Sequence, residues 1–177
     1  MDGYSIQPRS EVLKVPVVVV DRSPTLRWGV KAILEATGRF LLVGEATDTR
    51  CLARPLILRK GLIVIDARLA SEGMFQPIHA AKMANPNVSI LLLADESSEL
   101  DETDFARQAL AAGADGFILK DASSTSLAGA AMSVVSGAIV MERNAGWRVI
   151  RDGLVSSGLA HATPASNGNH HQVKVPA

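Results

Sequence analysis

The chain of 177 residues has one cysteine, Cys51, so an intrachain disulfide framework and a multi-cysteine zinc site are both excluded. Aromatic residues make up only 4% of it, and neither sign of charge is in excess, with 18 Lys+Arg against 18 Asp+Glu. That balance lacks the basic surplus with which nucleic-acid binders neutralise phosphates. Its apolar runs, such as Val15–Val20, fall far short of the roughly 20 residues a membrane-spanning helix needs. The first ten residues are polar and show no apolar core with a cleavage site, so no secretory signal is read there. No Gly-rich phosphate loop follows the first apolar run, Ser23 lacks the glycines of a nucleophile elbow, and the four histidines show no ligand spacing. The expectation is a cytoplasmic protein with no membrane segment.

What is present is a 47% hydrophobic composition, enough for one ordinary core, arranged as short β-branched runs alternating with helical patterns. Val15–Val20 reads as a buried strand ending at Asp21, and Leu26, Val30, Ile33 and Leu34 then mark one face of a helix closed by Gly38. Strands are expected again over 40–43, 61–65, 88–93 and 116–119, and helices over 77–84, 104–112 and 123–135. A further helix, capped by Thr47 or Asp48, would have to accommodate Pro55. Continuous apolar strands imply burial on both faces, and alternation with helices implies parallel pairing. The fold class is therefore α/β, a doubly wound five-stranded parallel sheet with helices on both faces. In such a sheet, functional loops lie at the carboxyl ends of strands, where Asp21 and Asp66 stand.

The outer segments read differently. Residues 1–12 show no periodicity and are expected to be a flexible arm, with the main domain over 13–141. Trp147, Ile150 and Leu154 are spaced as one face of an extra helix over 142–157. Residues 158–177, small and polar, are expected to be a disordered tail.

The segments VVVVDRSP at 17–24, LVGEATD at 42–48, LIVIDARL at 62–69 and GADGFILKDA at 113–122 together resemble the receiver domain of bacterial two-component response regulators, in the NarL/FixJ (LuxR-type) branch. The resemblance implies a flavodoxin-like receiver acting in phosphorelay signal transduction, a signalling protein before an enzyme. It makes Asp66 the phosphoacceptor, Asp21 an acid of the metal-binding pocket, Lys120 the phosphoryl contact and Phe117 the aromatic switch position. Asp21 and Asp66 would then hold Mg²⁺, which takes oxygen ligands.

Two positions depart from the family pattern. Arg22 stands where a second acid is usual, as a cation that would compete with Mg²⁺ or form an inert ion pair with Asp66, so that metal binding would be weak if it occurs. Ala94 stands where a Ser or Thr hydroxyl usually meets the phosphoryl group. These departures keep open an alternative, a phosphorylation-independent pseudo-receiver serving as a protein-interaction module. A small-molecule-binding α/β domain ranks behind both. The implied partners are a sensor histidine kinase or phosphotransfer protein, with a weak homodimer through 104–112, 115–119 and 123–135. Family members of this branch normally continue into a helix-turn-helix domain, and 142–177 does not read as one, so no direct DNA binding is expected.

Overall fold

The structure, a computed structural model, describes residues 13–53, 60–72, 74–95, 102–142, 161–163 and 170–174. The expected strands are all present: β1 (Val15–Val20), β2 (Phe40–Ala46), β3 (Leu62–Asp66), β4 (Ser89–Ala94) and β5 (Gly116–Leu119). They pair in parallel in the order β2-β1-β3-β4-β5. Helices α1 (Pro24–Ala36), α2 (Ala67–Ser71), α3 (Gln76–Ala84), α4 (Glu102–Ala111) and α5 (Ser124–Val135) lie between or after them.

Local chemistry sets the helix ends. The Ser23 hydroxyl accepts the Leu26 N–H at 3.3 Å and Pro24 begins α1, while Gly38 follows its end at φ +70°, a left-handed turn that suits glycine. Ser123 caps α5 in the same way through the Ser126 N–H, at 3.1 Å.

Both sheet faces are buried, which accounts for the unbroken apolar strands. Val18, Val20, Ile63, Ile65, Ile90 and Leu92 pack on one side against Ile78 of α3 and Phe105 and Ala109 of α4. Val17, Val19, Leu62, Val64, Leu91, Leu93 and Ile118 pack on the other against Val30 and Leu34 of α1 and Leu127, Ala131 and Val134 of α5.

The structure departs from expectation in four places. Strand β2 runs on to Ala46, with a slip that pairs Val17 with Leu42 but Val18 with Gly44, so Val43 forms a bulge at this edge. Asp48 does cap the element after β2, accepting the Arg50 N–H at 2.9 Å, but that element is a short 3-10 turn, Thr49–Ala53, and Pro55 lies outside the described residues. Between β3 and the helix expected over 77–84, a further short helix, α2, begins directly on Asp66.

The fourth departure is the sheet's far side, which has more than five strands. β6 (Ile139–Glu142) adds in parallel to β5, and β8 (His170–Lys174) and β7 (His161–Thr163) continue it antiparallel. The tail expected to be disordered thus supplies two strands, because the free edge of β6 offers backbone groups whose pairing a polar segment can satisfy without a hydrophobic core. The arm over 1–12 and the Trp147–Ile150–Leu154 stripe lie outside the described residues. Among the described residues, no helix is long and apolar enough to cross a membrane.

Candidate functional site at the carboxyl ends of the strands

Strands β1 and β3 are neighbours, with Val20 paired to Ile65, so the residues that leave them are brought together. Asp21 is 2% exposed and Asp66 7%, the two charged or polar residues buried among the described ones. The Asp21 N–H donates to the Ala46 carbonyl, and its Oδ1 accepts the Ser23 N–H at 2.7 Å. Its Oδ2 is buried without a hydrogen-bond partner among the described residues. Burial pushes the Asp21 carboxyl above the usual range; the Ser23 N–H opposes this, and the nearby Asp66 charge adds to it. Arg27 holds the loop from behind, donating to the Asp21 carbonyl at 2.8 Å while its Nε pairs with Glu45 at 3.0 Å.

Asp66 ends β3 and caps α2. Its Oδ1 accepts the Arg68 N–H at 3.0 Å and lies 3.2 Å from Nζ of Lys120. Lys120 reaches this position because β5 ends beside β4, where its N–H donates to the Ala94 carbonyl at 2.7 Å. The same ammonium lies 3.8 Å from Asp21 Oδ2 and 3.2 Å from Asp95 Oδ2. Burial disfavours its charge, but Asp66, Asp95 and Asp21 together outweigh that and raise its pKa. The structure therefore brings Asp21, Asp66 and Lys120 together.

Arg22 does not join them. Its guanidinium turns outward to Glu72, with Nη1 to Oε1 and Nη2 to Oε2 both at 2.8 Å, and both side chains are more than half exposed. Neither the expected pair with Asp66 nor occupation of the pocket by this cation is seen. The physical reason is that Glu72, just beyond α2, offers a bidentate partner in water, where no desolvation opposes pairing.

Ala94 is buried at the end of β4 and offers no side-chain donor. Phe117 is half-buried on β5, 5.8 Å from the Phe105 ring, which in turn meets Phe75 edge-on at 5.0 Å. Phe75 and Met74 both take positive φ, 61° and 50°, and that left-handed turn aims the Phe75 ring into the core. An aromatic row thus links the loop after α2, helix α4 and β5.

Asp95 was not anticipated from sequence, nor were Arg68 and Glu72. A signal existed, since LLLAD at 91–95 repeats the strand-then-acid pattern of Asp21 and Asp66. Asp95 Oδ2 also pairs with Arg68 Nη2 at 3.2 Å. On the other side of Lys120, a cavity of about 160 Å³ opens between α1 and α5, lined by Leu26, Gly29, Ile33 and Leu127. Trp28, on the opposite face of α1, is 70% exposed.

The donor set suits a hard cation. Asp21 and Asp66 offer oxygen only, and the buried, unpartnered Asp21 Oδ2 is an atom that a cation would satisfy. Among the described residues, no group of three or more His, Cys, Asp or Glu is placed to hold a metal ion by itself.

No protein-family model matches the sequence. A curated relative from Mycobacterium tuberculosis, described as "Probable transcriptional regulatory protein NarL", is 34% identical over 128 residues, covering 70% of this chain and 56% of the relative. The chain thus spans about half the length of the curated relatives it matches. The solved signal receiver domain of NarL from M. tuberculosis aligns at TM-score 0.60 and 31% identity, over 70% of this chain and 98% of that domain. A LuxR-family response regulator from Aurantimonas sp. aligns at TM-score 0.64 and 21% identity, over 80% and 99% of the two chains, a likeness of fold alone.

Proposed function

Because this chain belongs to the NarL/LuxR-type response-regulator receiver domains of two-component systems, we propose that it accepts a phosphoryl group on Asp66 within a phosphorelay. The observation that carries this reading is the 3.2 Å approach of Lys120 Nζ to Asp66 Oδ1 at the carboxyl ends of the strands. In the step proposed, an Asp66 carboxylate oxygen forms the new bond to phosphorus while the bond from phosphorus to the donor breaks. The donor group leaves with that electron pair and takes a proton from water. Lys120 pairs with the phosphoryl oxygens as the product forms, and Arg68 N–H, already on Oδ1, fixes the attacking carboxylate's orientation. Mg²⁺, held by Asp21 and Asp66, would supply charge compensation for the phosphoryl group when bound.

The phosphodonor on this reading is a sensor histidine kinase or a phosphotransfer protein. The apolar cavity between α1 and α5 supplies a contact surface next to Lys120 on which such a donor can seat. Helices α4 and α5 remain the candidate surfaces for a weak homodimer, whereas β5 is not a free edge because Gly116 and Phe117 pair with Val140 and Met141 of β6. The equal counts of basic and acidic residues, 18 and 18, argue against DNA as a direct partner of this stretch.

The phosphorylation-independent reading is favoured by Ala94, which removes the hydroxyl that would otherwise report the phosphoryl group to β4, and by Arg22, which leaves the pocket one acid short. Incubation with acetyl phosphate and Mg²⁺, followed by intact-mass measurement, separates the two. Addition of one phosphoryl group supports the phosphorelay reading; no addition supports the interaction module.

A further inference from the structure

A single oxygen of Asp95 bridges two cations: its Oδ2 lies 3.2 Å from Lys120 Nζ and 3.2 Å from Arg68 Nη2. Both cations belong to the surroundings of Asp66, Lys120 through its ammonium and Arg68 through the N–H on Oδ1. Arg68 touches Asp66 through its backbone N–H only, so it is the Lys120 ammonium that the anionic oxygens of a phosphoryl group on Asp66 would meet. Asp95 therefore holds, at rest, the ammonium that the phosphoryl group requires.

We propose that Asp95 is the switch residue of this receiver, an internal anion that occupies the phosphoryl-binding ammonium of Lys120 in the unmodified state and is expelled when Asp66 is phosphorylated. The inference rests on the reading of Asp66 as phosphoacceptor. Two features of the chain make it coherent. Ala94, the residue before Asp95, has no hydroxyl with which to capture a phosphoryl group, so β4 cannot respond by attraction. Repulsion remains available, because the phosphoryl dianion and the Asp95 carboxylate carry like charge and compete for the same ammonium. The Lys120 side chain is only 16% exposed, so water screens that competition weakly.

The consequence has a sign. Asp95 opposes phosphorylation, since Lys120 must leave it, and its departure moves the end of β4, to which Lys120 is also tied through the Ala94 carbonyl. Removing the carboxylate frees the Lys120 ammonium in advance. The test uses the full chain with Asp95→Ala and, as a conservative second variant, Asp95→Asn. Two quantities are read: the rate of mass gain with acetyl phosphate and Mg²⁺, and binding of inorganic phosphate followed by the ¹⁵N resonance of Lys120 Nζ.

The expected result is a rate increase of about tenfold in both variants, with phosphate binding at Lys120 that the unmutated chain lacks. Equal rates and equal phosphate affinity in all three proteins would overturn the role of Asp95 and leave Asp66 as phosphoacceptor. Phosphate binding gained in the variants with no mass gain in any protein would uphold the competition at Lys120 and remove the phosphoacceptor role of Asp66. Absence of both phosphate binding and mass gain in the variants would overturn the proposal.

Discussion

The guanidinium of Arg22 meets the Glu72 carboxylate through two contacts of 2.8 Å, and is engaged there rather than in an ion pair with Asp66. Glu72, together with coulombic attraction from Asp66 and Asp48, holds the Arg22 pKa above its ordinary value, so it is a cation at every accessible pH. Its effect on the acidic pocket is then the missing carboxylate and not a steric block. Arg22→Asp, which exchanges a cation for an anion, should raise Mg²⁺ affinity by at least about tenfold, since even in the dielectric of water a unit charge about 4 Å away is worth about 1 kcal/mol per charge of the bound cation. Glu72→Gln, which frees Arg22 without adding an acid, should not raise it. Isothermal titration with Mg²⁺ checks both variants, and a Glu72→Gln protein that binds as tightly as Arg22→Asp would show that the guanidinium's position, not the absent acid, limits binding.

Asp21 stands at the centre of a stability trade-off. Its folded carboxyl titrates above the ordinary 3.8, chiefly through burial, so the folded state holds the proton more tightly than the unfolded one. The stabilising contribution of that protonation is full below the ordinary value and is lost as pH rises through the raised folded value. At neutral pH the buried charge is a net burden, and Asp21→Asn should raise stability by about 1–3 kcal/mol. Urea unfolding at neutral pH should show this gain, and the gain should shrink as pH falls toward the ordinary carboxylate range. A variant less stable than the parent at neutral pH would mean that the 3.8 Å approach of Lys120 outweighs the desolvation.

Gly116 begins β5 with no room for a side chain. A Cβ there would lie 2.8 Å from Val134 Cγ1, 3.0 Å from Leu91 Cδ1 and 3.2 Å from the Val140 carbonyl oxygen. Close packing of α5 and β6 on this strand depends on that gap. Gly116→Ala should cost about 1–3 kcal/mol in urea unfolding, the usual penalty for overpacking a filled core. An unchanged midpoint would show that α5 can shift to admit a methyl group.

Much of this arrangement could be read from the chain because it arises from local pattern. Val15–Val20 and 61–65 announce buried strands by their β-branched runs, and Asp21 and Asp66 follow from the rule that strands of such sheets present their functional ends together. Lys120 came through resemblance. The partner of Arg22 was not legible, because it depends on where a short helix after Asp66 places Glu72, fifty residues along the chain. Asp95 was hidden for a related reason: its importance arises from Arg68 and Lys120, which only the sheet order brings to it. Strands β7 and β8 carry little hydrophobic signal in the sequence and are found through their backbone pairing along β6.

The phosphoacceptor assignment of Asp66 is tested most directly by intact-mass measurement of the full chain and of Asp66→Asn after incubation with acetyl phosphate and Mg²⁺. The unmutated chain should gain one phosphoryl group, labile to hydroxylamine as an acyl phosphate is, and Asp66→Asn should gain none. A mass gain retained in Asp66→Asn, or none in the unmutated chain under conditions that label a related receiver, would contradict the assignment.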